Sequence, residues 1–490
     1  MILKKKSIWQ NEIKNNIYPK LEKDINVNVL IIGGGITGIS TAYHLKKSNL
    51  SVCVIDRNVI ASGVSSKTTG KLTYLQDLIY SKINNYYSFE VAKKYYESQK
   101  YAIKLVENIV KSNNIKCDYV KQKSYLFANN KWDKEKVKKE KILLEKMNVK
   151  VGDVKKLPVN LFNYYGISVT DTAYFHPVKY INELAKISND SGITIYENTN
   201  IINCVEKDNN YICYTEKNKI IANKVVIACH YPFFLLPYFF PLKGHLEQSY
   251  IAAIKTNENK TVSGINASKS TKSFRYHSDE DNNYLLYLNG SHNMAEKFNL
   301  KDNFGELFKE LEKNDLIPDF VWSNVDIITN DYLPYIGEIK ENFYIATGYN
   351  TWGMTNGSLA GLIISDLIQH KENKYVSLFN PKRTLPLSSL FYDIYSSAKP
   401  FLENKLIKNK PFYSNNVIFT KKKGKNVAIY IDENGIEHIV YNKCPHLKCS
   451  LIFNEVELTW DCPCHSSRFD IDGNCIKGPS KYNISYKEKE

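Results

Sequence analysis

The sequence predicts a protein of two parts, an α/β portion with an interleaved antiparallel sheet, followed by a small all-β domain. The chain has 490 residues, which is more than one hydrophobic core usually organises and suggests two to four domains. Near the start, an apolar run leads into the glycine pattern GGGITG. Near the end, two Cys/His pairs follow an alternating hairpin pattern around the turn DENG. These observations predict the fold class.

The first predicted unit is a strand, a glycine loop and a helix. Residues 28–32 (NVLII) are mostly apolar, as expected for a buried parallel strand. Gly33, Gly35 and Gly38 follow in a G-x-G-x-x-G spacing, which allows a tight turn, close approach to a pyrophosphate and close helix–strand packing. A second strand, SVCVID, ends at Asp56, whose carboxylate can accept hydrogen bonds from a ribose. Together they predict a Rossmann-type dinucleotide fold.

Later segments resemble, in the same order, the FAD enzymes of the D-amino-acid oxidase and glycine oxidase superfamily. The hydroxyl-rich stretch RNVIASGVSSKTTGKLTYLQ is similar to that family's loop after the second strand. TDTAYFHPVKYINELAK and KVVIACHYPF resemble its helix and return strand, and YNTWGMTNGSLAG resembles the segment that covers the flavin. The resemblance covers about residues 25–380, and it implies that the bound dinucleotide is FAD.

The resemblance also implies boundaries and contact residues. The oxidoreductase part is expected over residues 1–383, with nucleotide-binding segments at about 25–85, 166–230 and 326–380, and a substrate domain at about 86–165 and 231–325. A helical connector at 384–410 and the last domain at 411–490 follow. The residues expected to contact FAD are Gly33, Gly35, Ile36, Thr37, Gly38, Asp56, Arg57, Ser62, Thr69, Gly70, Lys71, Ile201, Ala228, Gly348, Trp352, Gly353, Met354 and Thr355.

The source of electrons is predicted from an absence in the sequence. No second strand–glycine–helix unit for a nicotinamide cofactor follows, which argues for an organic reductant. The superfamily favours oxidation of C–N bonds, so the resemblance implies an amine or amino acid. Arg275 is the sole arginine in the expected substrate domain, and a guanidinium is a natural carboxylate clamp. Arg275 is therefore the candidate for the catalytic site, with a surface ion pair as the alternative.

The C-terminal pattern predicts a metal centre. Cys444 and His446 are one residue apart, and Cys462 and His465 are separated by two. Crowded cysteines usually hold a metal, and zinc is one possibility, but this order is unusual for a zinc finger. The spacing and the flanks CPHLKC and CPCHSSRFD resemble the two loops of Rieske proteins, whose [2Fe–2S] cluster takes two thiolates and two imidazoles. Those four residues are the expected ligands.

The Rieske resemblance implies two further features. Cys449 and Cys464 occupy the positions that form a disulfide between the two loops in respiratory Rieske proteins. In members of high potential, a serine and a tyrosine donate hydrogen bonds to sulfur and raise the potential. Ser467 keeps the serine, whereas Phe469 stands where the tyrosine would be.

The two cofactors together predict a function. A flavin accepts two electrons at once and a Rieske cluster carries one. The combination predicts an FAD-dependent dehydrogenase that passes electrons singly to the cluster and on to an unknown acceptor, either a protein or a quinone. A non-enzymatic redox carrier or sensor is the alternative. A Rieske oxygenase would need another iron site of two histidines and a carboxylate, and the remaining histidines are far apart in the sequence.

Composition restricts partners and location. The formal charge is +15, but the basic residues are scattered, whereas nucleic-acid binding needs clustered charge. Neither a signal peptide nor a run of about 18 apolar residues is present. The expected location is the cytoplasm, and the apolar stretch at 231–242 leaves peripheral membrane contact as a minor alternative.

Overall fold

The computed structural model describes residues 3–12, 17–159, 164–232, 243–279, 281–294, 300–384 and 416–487. Two large sheets with helices make up the first part of the chain, and two small antiparallel sheets make up the last part. The predicted fold class is therefore confirmed. The expected connector at 384–410 and the start of the last domain at 411–415 lie, except for residue 384, outside the described residues.

Some of the helices begin at residues that favour a helix N-terminus. Ser88 accepts a hydrogen bond from the N–H of Val91 at the start of one helix, and Pro177 begins another. No helix within the described ranges is long and apolar enough to cross a membrane. The α-helices of these ranges are α1 (Ile36–Leu45), α2 (Ile79–Tyr86), α3 (Phe89–Ser112), α4 (Lys131–Lys146), α5 (Pro177–Asp190), α6 (Leu300–Lys313), α7 (Gly353–Ile368) and α8 (Val376–Phe379).

The strands fall into four sheets. In chain order they are β1 (Ile25–Ile32), β2 (Val52–Ile55), β3 (Lys71–Leu72), β4 (Val120–Ala128), β5 (Gly152–Val154), β6 (Tyr165–Tyr174), β7 (Thr194–Tyr196), β8 (Asn203–Lys207), β9 (Asn210–Tyr214), β10 (Lys219–Ile227), β11 (Gly244–Thr256), β12 (Val262–Asn266), β13 (Ser273–Ser278), β14 (Asn283–Asn293), β15 (Phe320–Thr329), β16 (Tyr335–Lys340), β17 (Phe343–Thr347), β18 (Val417–Lys422), β19 (Lys425–Ile431), β20 (Glu437–Tyr441), β21 (Ile452–Asn454), β22 (Thr459–Asp461), β23 (Arg468–Phe469) and β24 (Cys475–Lys477).

The first sheet is the predicted nucleotide sheet. Its strand order is β16-β17-β10-β1-β2-β7, and β9 and β8 extend from β10. Strands β17, β10, β1, β2 and β7 run parallel. The last four residues of β1 are buried, which explains its apolar run, since a parallel strand is covered on both faces. The carboxyl ends of β1, β2 and β10 meet at one edge, where such folds bind dinucleotides.

The second sheet orders β15-β11-β14-β13-β12-β4-β6-β3, with β5 beside β6. All its neighbouring pairs are antiparallel except β12 and β4. One face contributes to the core that includes α1 and α7, and the other packs on α6. Strands β3 and β6 belong to this sheet, although the sequence placed them in nucleotide-binding segments. The alternation of apolar and polar residues along a strand shows which face of the strand is buried, but it does not show which other strand pairs with it.

The last domain has two small sheets, β18-β19-β20 and β21-β22-β23-β24, and all their pairs are antiparallel. The predicted hairpin around DENG is β19 and β20, with Ile431 opposite Glu437. Its core contains Trp460 and Phe469, both fully buried, together with Cys444 and Cys462. This core is small, and it surrounds the predicted metal ligands.

Candidate functional site

A cavity lies at the carboxyl edge of β1, β2 and β10. Its wall combines the glycine loop, the loop after β2, residues after β7 and β10, the end of β15, the start of α7 and a segment of the last domain. The predicted FAD contacts that line it are Gly33, Gly35, Ile36, Thr37, Asp56, Arg57, Ile201, Ala228, Gly353 and Met354.

The glycine loop has the geometry that its pattern predicts. Gly33 has a φ of +115°, and a Cβ there would lie 2.8 Å from the carbonyl oxygen of Ala228. A Cβ on Gly38 would collide with the carbonyl oxygen of Gly33, so Gly38 allows close packing but does not line the cavity. Gly35 precedes α1 with no side-chain cap. The N–H of Ile36 donates to Ser65 Oγ at 3.1 Å, and the positive end of the helix at this position suits a diphosphate.

Asp56 stands at the end of β2 and lines the cavity. Its Oδ2 accepts a hydrogen bond from the N–H of Gly34 at 2.7 Å, and its Oδ1 accepts one from Asn58 at 2.8 Å. Burial raises the pKa of Asp56 above its usual value, although the two backbone hydrogen bonds oppose this. Each oxygen keeps a further lone pair. The carboxylate is thus oriented to accept a hydroxyl such as that of a ribose.

Besides Gly38, seven predicted FAD contacts do not line the cavity: Ser62, Thr69, Gly70, Lys71, Gly348, Trp352 and Thr355. Lys71 illustrates the reason. Its Nζ donates to the carbonyl of Gly264 at 2.9 Å and to Ser273 Oγ at 2.5 Å, so it supports the second sheet from behind the cavity wall. For these residues direct contact with FAD stays a prediction.

Arg275 has contacts unlike those of an exposed clamp. It is fully buried, and it donates to the carbonyls of Thr69, Phe175 and Tyr276. Its guanidinium lies 4.2 Å from the ring centroid of Tyr174, and burial lowers its pKa to about 9. The surface ion pair considered from the sequence is therefore wrong. The structure gives Arg275 a role in tying β13 to neighbouring segments, and the substrate clamp stays a prediction.

His230 is a cavity residue that the sequence did not single out. Burial lowers its pKa to about 3, so its ring is neutral at physiological pH. Its Nε2 is buried and has no hydrogen-bond partner among the described residues. A buried polar atom of this kind is usually satisfied by a ligand or water. No motif surrounds His230, so only its position after β10 could have suggested it.

The predicted metal ligands come together in the last domain. Cys444 and Cys462 are buried, and a hydrogen bond with Cys462 lowers the pKa of Cys444 to about 7. The rings of His446 and His465 have centroids 4.9 Å apart. Both Nδ1 atoms are buried without a hydrogen-bond partner in the described part of the chain. Burial lowers the pKa of His446 to about 4 and of His465 to about 3.

This donor set fits a Rieske cluster. Neutral imidazoles with unpaired nitrogens can bind iron, and two thiols complete the set that a [2Fe–2S] centre of this type requires. Cys449 and Cys464 are joined in a disulfide next to Cys462, with all three sulfurs within 4.8 Å of one another. The disulfide thus links the two loops, as the resemblance implied.

Two more residues complete the cluster site. Ser467 is fully buried, and its Oγ accepts a hydrogen bond from the N–H of Ser480 at 2.9 Å. The Ser467 side chain also hydrogen-bonds Cys444, which helps to lower the pKa of that thiol. Phe469 is fully buried too and offers no hydroxyl. Of the two hydroxyl groups that donate hydrogen bonds in Rieske proteins of high potential, this chain therefore has the serine but not the tyrosine.

The cavity and the metal centre are neighbours. Tyr231, which follows β10, lines the cavity, and its ring centroid lies 5.8 Å from that of His465. A cavity shaped for a dinucleotide and a centre of two thiols and two imidazoles, separated by one side chain, define a redox protein with two cofactors.

Residues 28–367 match the family described as FAD dependent oxidoreductase, and residues 405–486 match the Rieske [2Fe-2S] domain. This chain belongs to the FAD-dependent oxidoreductase family and carries a C-terminal Rieske domain. The first part binds FAD and the last binds a [2Fe–2S] cluster. The predicted family and cofactors are confirmed.

Similar proteins agree with this assignment. The Bacillus subtilis protein YhfW, named as a Rieske 2Fe-2S iron-sulfur protein, is 30% identical over 488 residues, covering 96% of this chain and 95% of YhfW. Gamma-glutamylputrescine oxidoreductase of Escherichia coli is 21% identical, covering 74% of this chain and 88% of that protein. The crystal structure of glycine oxidase from Geobacillus kaustophilus has a TM-score of 0.62 at 16% identity, covering 74% of this chain and all of that chain.

Proposed function

We propose that this chain is a dehydrogenase that oxidises an amine or an amino-acid-like compound and passes the electrons singly to its Rieske cluster. From there they leave for an external one-electron acceptor, a protein or a quinone. The observation that carries the proposal is the position of Tyr231 between the FAD cavity and the cluster ligand His465. Its ring contacts the imidazole, so the two cofactor sites are separated by one aromatic side chain.

The chain's own residues prepare the cavity for this chemistry. FAD, when bound, supplies a two-electron acceptor that can release electrons one at a time. Thr37 in the glycine loop and Tyr349 before α7 share a hydrogen bond of 2.8 Å, which joins two walls of the cavity. His230 presents a neutral, unpaired ring nitrogen within the described cavity wall. Because its pKa is lowered to about 3, His230 is a weak base, and its role is to form a hydrogen bond beside the cofactor.

The test is anaerobic addition of amines, amino acids and hydroxy acids to the purified protein. We expect flavin absorbance to bleach with an amine or amino acid, followed by the EPR signal of a reduced Rieske cluster in the same sample. Bleaching by NADH or NADPH alone would contradict the organic donor. Bleaching without any cluster signal would contradict the electron path. If no donor gives turnover with an artificial one-electron acceptor, the redox carrier or sensor becomes the better interpretation.

Two substitutions at one position isolate the path. Tyr231→Leu removes the ring beside His465, whereas Tyr231→Phe keeps it. We expect rapid-mixing experiments to show unchanged flavin bleaching in both variants but slower cluster reduction in Tyr231→Leu alone. Equal cluster reduction in both variants would mean that electrons do not pass through this contact.

We also propose a cytoplasmic location. Five cysteines outside the Rieske domain are not in disulfides: Cys53, Cys117, Cys204, Cys213 and Cys229. Unpaired cysteines in such number are usual in a reducing compartment. Cell fractionation with an antibody against the chain would test this, and recovery with the membranes would favour the peripheral alternative.

A further inference from the structure

The Rieske domain forms part of the wall of the FAD cavity. Residues 476–479, at and after the end of β24, line it. This segment is held against the loop after β2 by two hydrogen bonds. Asn58 Nδ2 donates to the carbonyl of Ile476 at 3.2 Å, and Arg57 Nη1 donates to Cys475 Sγ at 3.1 Å. The cavity is therefore closed on this side by the Rieske domain.

A buried ionic network holds the domain in this position. Glu457 of the Rieske domain binds Lys67 of the oxidoreductase part at 3.1 Å and Arg468 of its own domain at 2.9 Å. Glu457 also accepts a hydrogen bond from Ser323 on β15. The side chain of Glu457 is only 5% exposed, so this contact excludes water. Removing one partner of such a buried pair would leave an uncompensated charge, which is strongly destabilising.

Lys477 is the charged residue that this domain adds to the cavity. Burial lowers its pKa to about 7, and the nearby cations Arg468 and Lys67 act in the same direction. Asp326 and Asp461 attract it, but in the described part of the chain no carboxylate lies within 4.0 Å of its ammonium. Lys477 is partly buried, and an ammonium that loses part of its hydration is stabilised by a nearby anion. Here the cavity itself is the place where an anion would lie.

We propose that Lys477 of the Rieske domain is part of the FAD site, where its ammonium offsets the negative charge of the bound dinucleotide. FAD is an anion through its diphosphate, and lysine is a common phosphate partner that acts as a point charge. In this arrangement FAD is held by both domains. The proposal depends on FAD binding alone and on neither the substrate nor the direction of electron flow.

Substitutions in the full-length, cluster-loaded protein test the proposal. FAD affinity and release rate are measured from the fluorescence of free FAD. Lys477→Met should weaken FAD binding by about tenfold. A tenfold loss corresponds to the lower end of the free-energy range for a hydrogen bond to a charged group. Lys477→Arg should restore most of the affinity because it keeps the charge. Lys421→Met, at an exposed lysine of the same domain, is the matched control and should bind FAD as the natural protein does.

Ionic strength and chemical protection give independent readouts. The difference between Lys477→Met and the natural protein should shrink only slightly in high salt, because salt screens partly buried charges much less than exposed ones. In the natural protein, FAD should protect Lys477, but not Lys421, from acetylation as measured by mass spectrometry. This second measurement needs no variant to fold. Unchanged FAD affinity in Lys477→Met, or acetylation of Lys477 that FAD does not reduce, would overturn the proposal.

Discussion

The hydroxyl of Ser467 lies between the turn at Ser480 and the ligand Cys444. Reduction adds negative charge to the cluster, so a donor to sulfur stabilises the reduced form and raises the potential. Ser467→Ala should therefore lower the cluster's potential by about 60–130 mV. This range is the free energy of a hydrogen bond to a charged group, roughly 1.5–3 kcal/mol, converted for the transfer of one electron. A redox titration of the full chain followed by EPR measures it.

A second hydroxyl serves as the control for this prediction. Ser485 lies in the same domain and hydrogen-bonds the carbonyl of Asp472. Ser485→Ala should leave the potential unchanged. Equal potentials in Ser467→Ala and the natural protein would show that the Ser467 hydroxyl does not act on the cluster.

Gly35 carries the prediction for the other cofactor. It lines the cavity at the start of α1, where a Cβ would lie 3.0 Å from Ser65 Oγ. Gly35→Val adds methyl groups where the diphosphate approaches the backbone. The purified variant should contain no FAD, measured as the ratio of flavin to protein absorbance, while its cluster remains.

Gly305→Ala is a matched control in α6, where a Cβ would meet nothing within 4 Å. It should keep FAD and gain about 0.5–1 kcal/mol of stability from the better helix former. Full FAD content in Gly35→Val would mean that the glycine loop does not contact the diphosphate.

At the scale of elements, the two ligand loops depend on each other. The disulfide between Cys449 and Cys464 closes a loop with a sequence separation of 15. A disulfide over that length stabilises by about 3 kcal/mol. Cys449→Ser should still assemble the cluster but lose its visible absorbance at a lower temperature. Cys204→Ser, at a half-buried free cysteine of β8, should not change that temperature. Finding both Cys449 and Cys464 as free thiols in native protein would contradict the linkage.

At the scale of the whole molecule, Glu457 joins the two parts. Burial alone would raise the pKa of Glu457, but Arg468 and Lys67 outweigh it and hold the pKa at about 2. This is below the usual value for glutamate of about 4.3. The stabilisation is therefore complete above about pH 5 and is lost as the pH falls toward the folded-state pKa. Glu457→Gln should cost about 3 kcal/mol at neutral pH.

Urea unfolding of the natural protein and of Glu457→Gln at several pH values measures this difference. It should shrink as the pH falls from about 5 toward 2, because Glu457 of the unfolded chain binds a proton first, and only near pH 2 does the folded natural protein also have a neutral side chain there. Glu433→Gln, at an exposed glutamate of the same domain, should change stability by no more than about 0.5 kcal/mol at any pH. A cost of Glu457→Gln that does not vary with pH would contradict the role of the charge.

Local patterns in the sequence determined both cofactor sites. Gly33, Gly35 and Asp56 of the predicted nucleotide site line one cavity, and the rings of His446 and His465 lie side by side, while their contacts with the cofactors stay predictions. Each Cys/His pair is confined to one short loop, and the glycine loop and Asp56 belong to one strand–helix–strand unit. The spacing of residues within such a unit determines the relative positions of their side chains, because only a few backbone dihedral angles separate them.

Only the tertiary structure decided how the two parts meet. The contact of Arg57 with Cys475 joins residues 418 apart in the chain, and that of Lys67 with Glu457 joins residues 390 apart. The placement of Lys477 in the FAD cavity depends on this docking, and the burial of Arg275 depends on distant segments of the first part, since it donates to Thr69 and Phe175. These contacts form only when whole surfaces pack together. No local periodicity or spacing encodes which surface will face which, so the sequence alone could not reveal them.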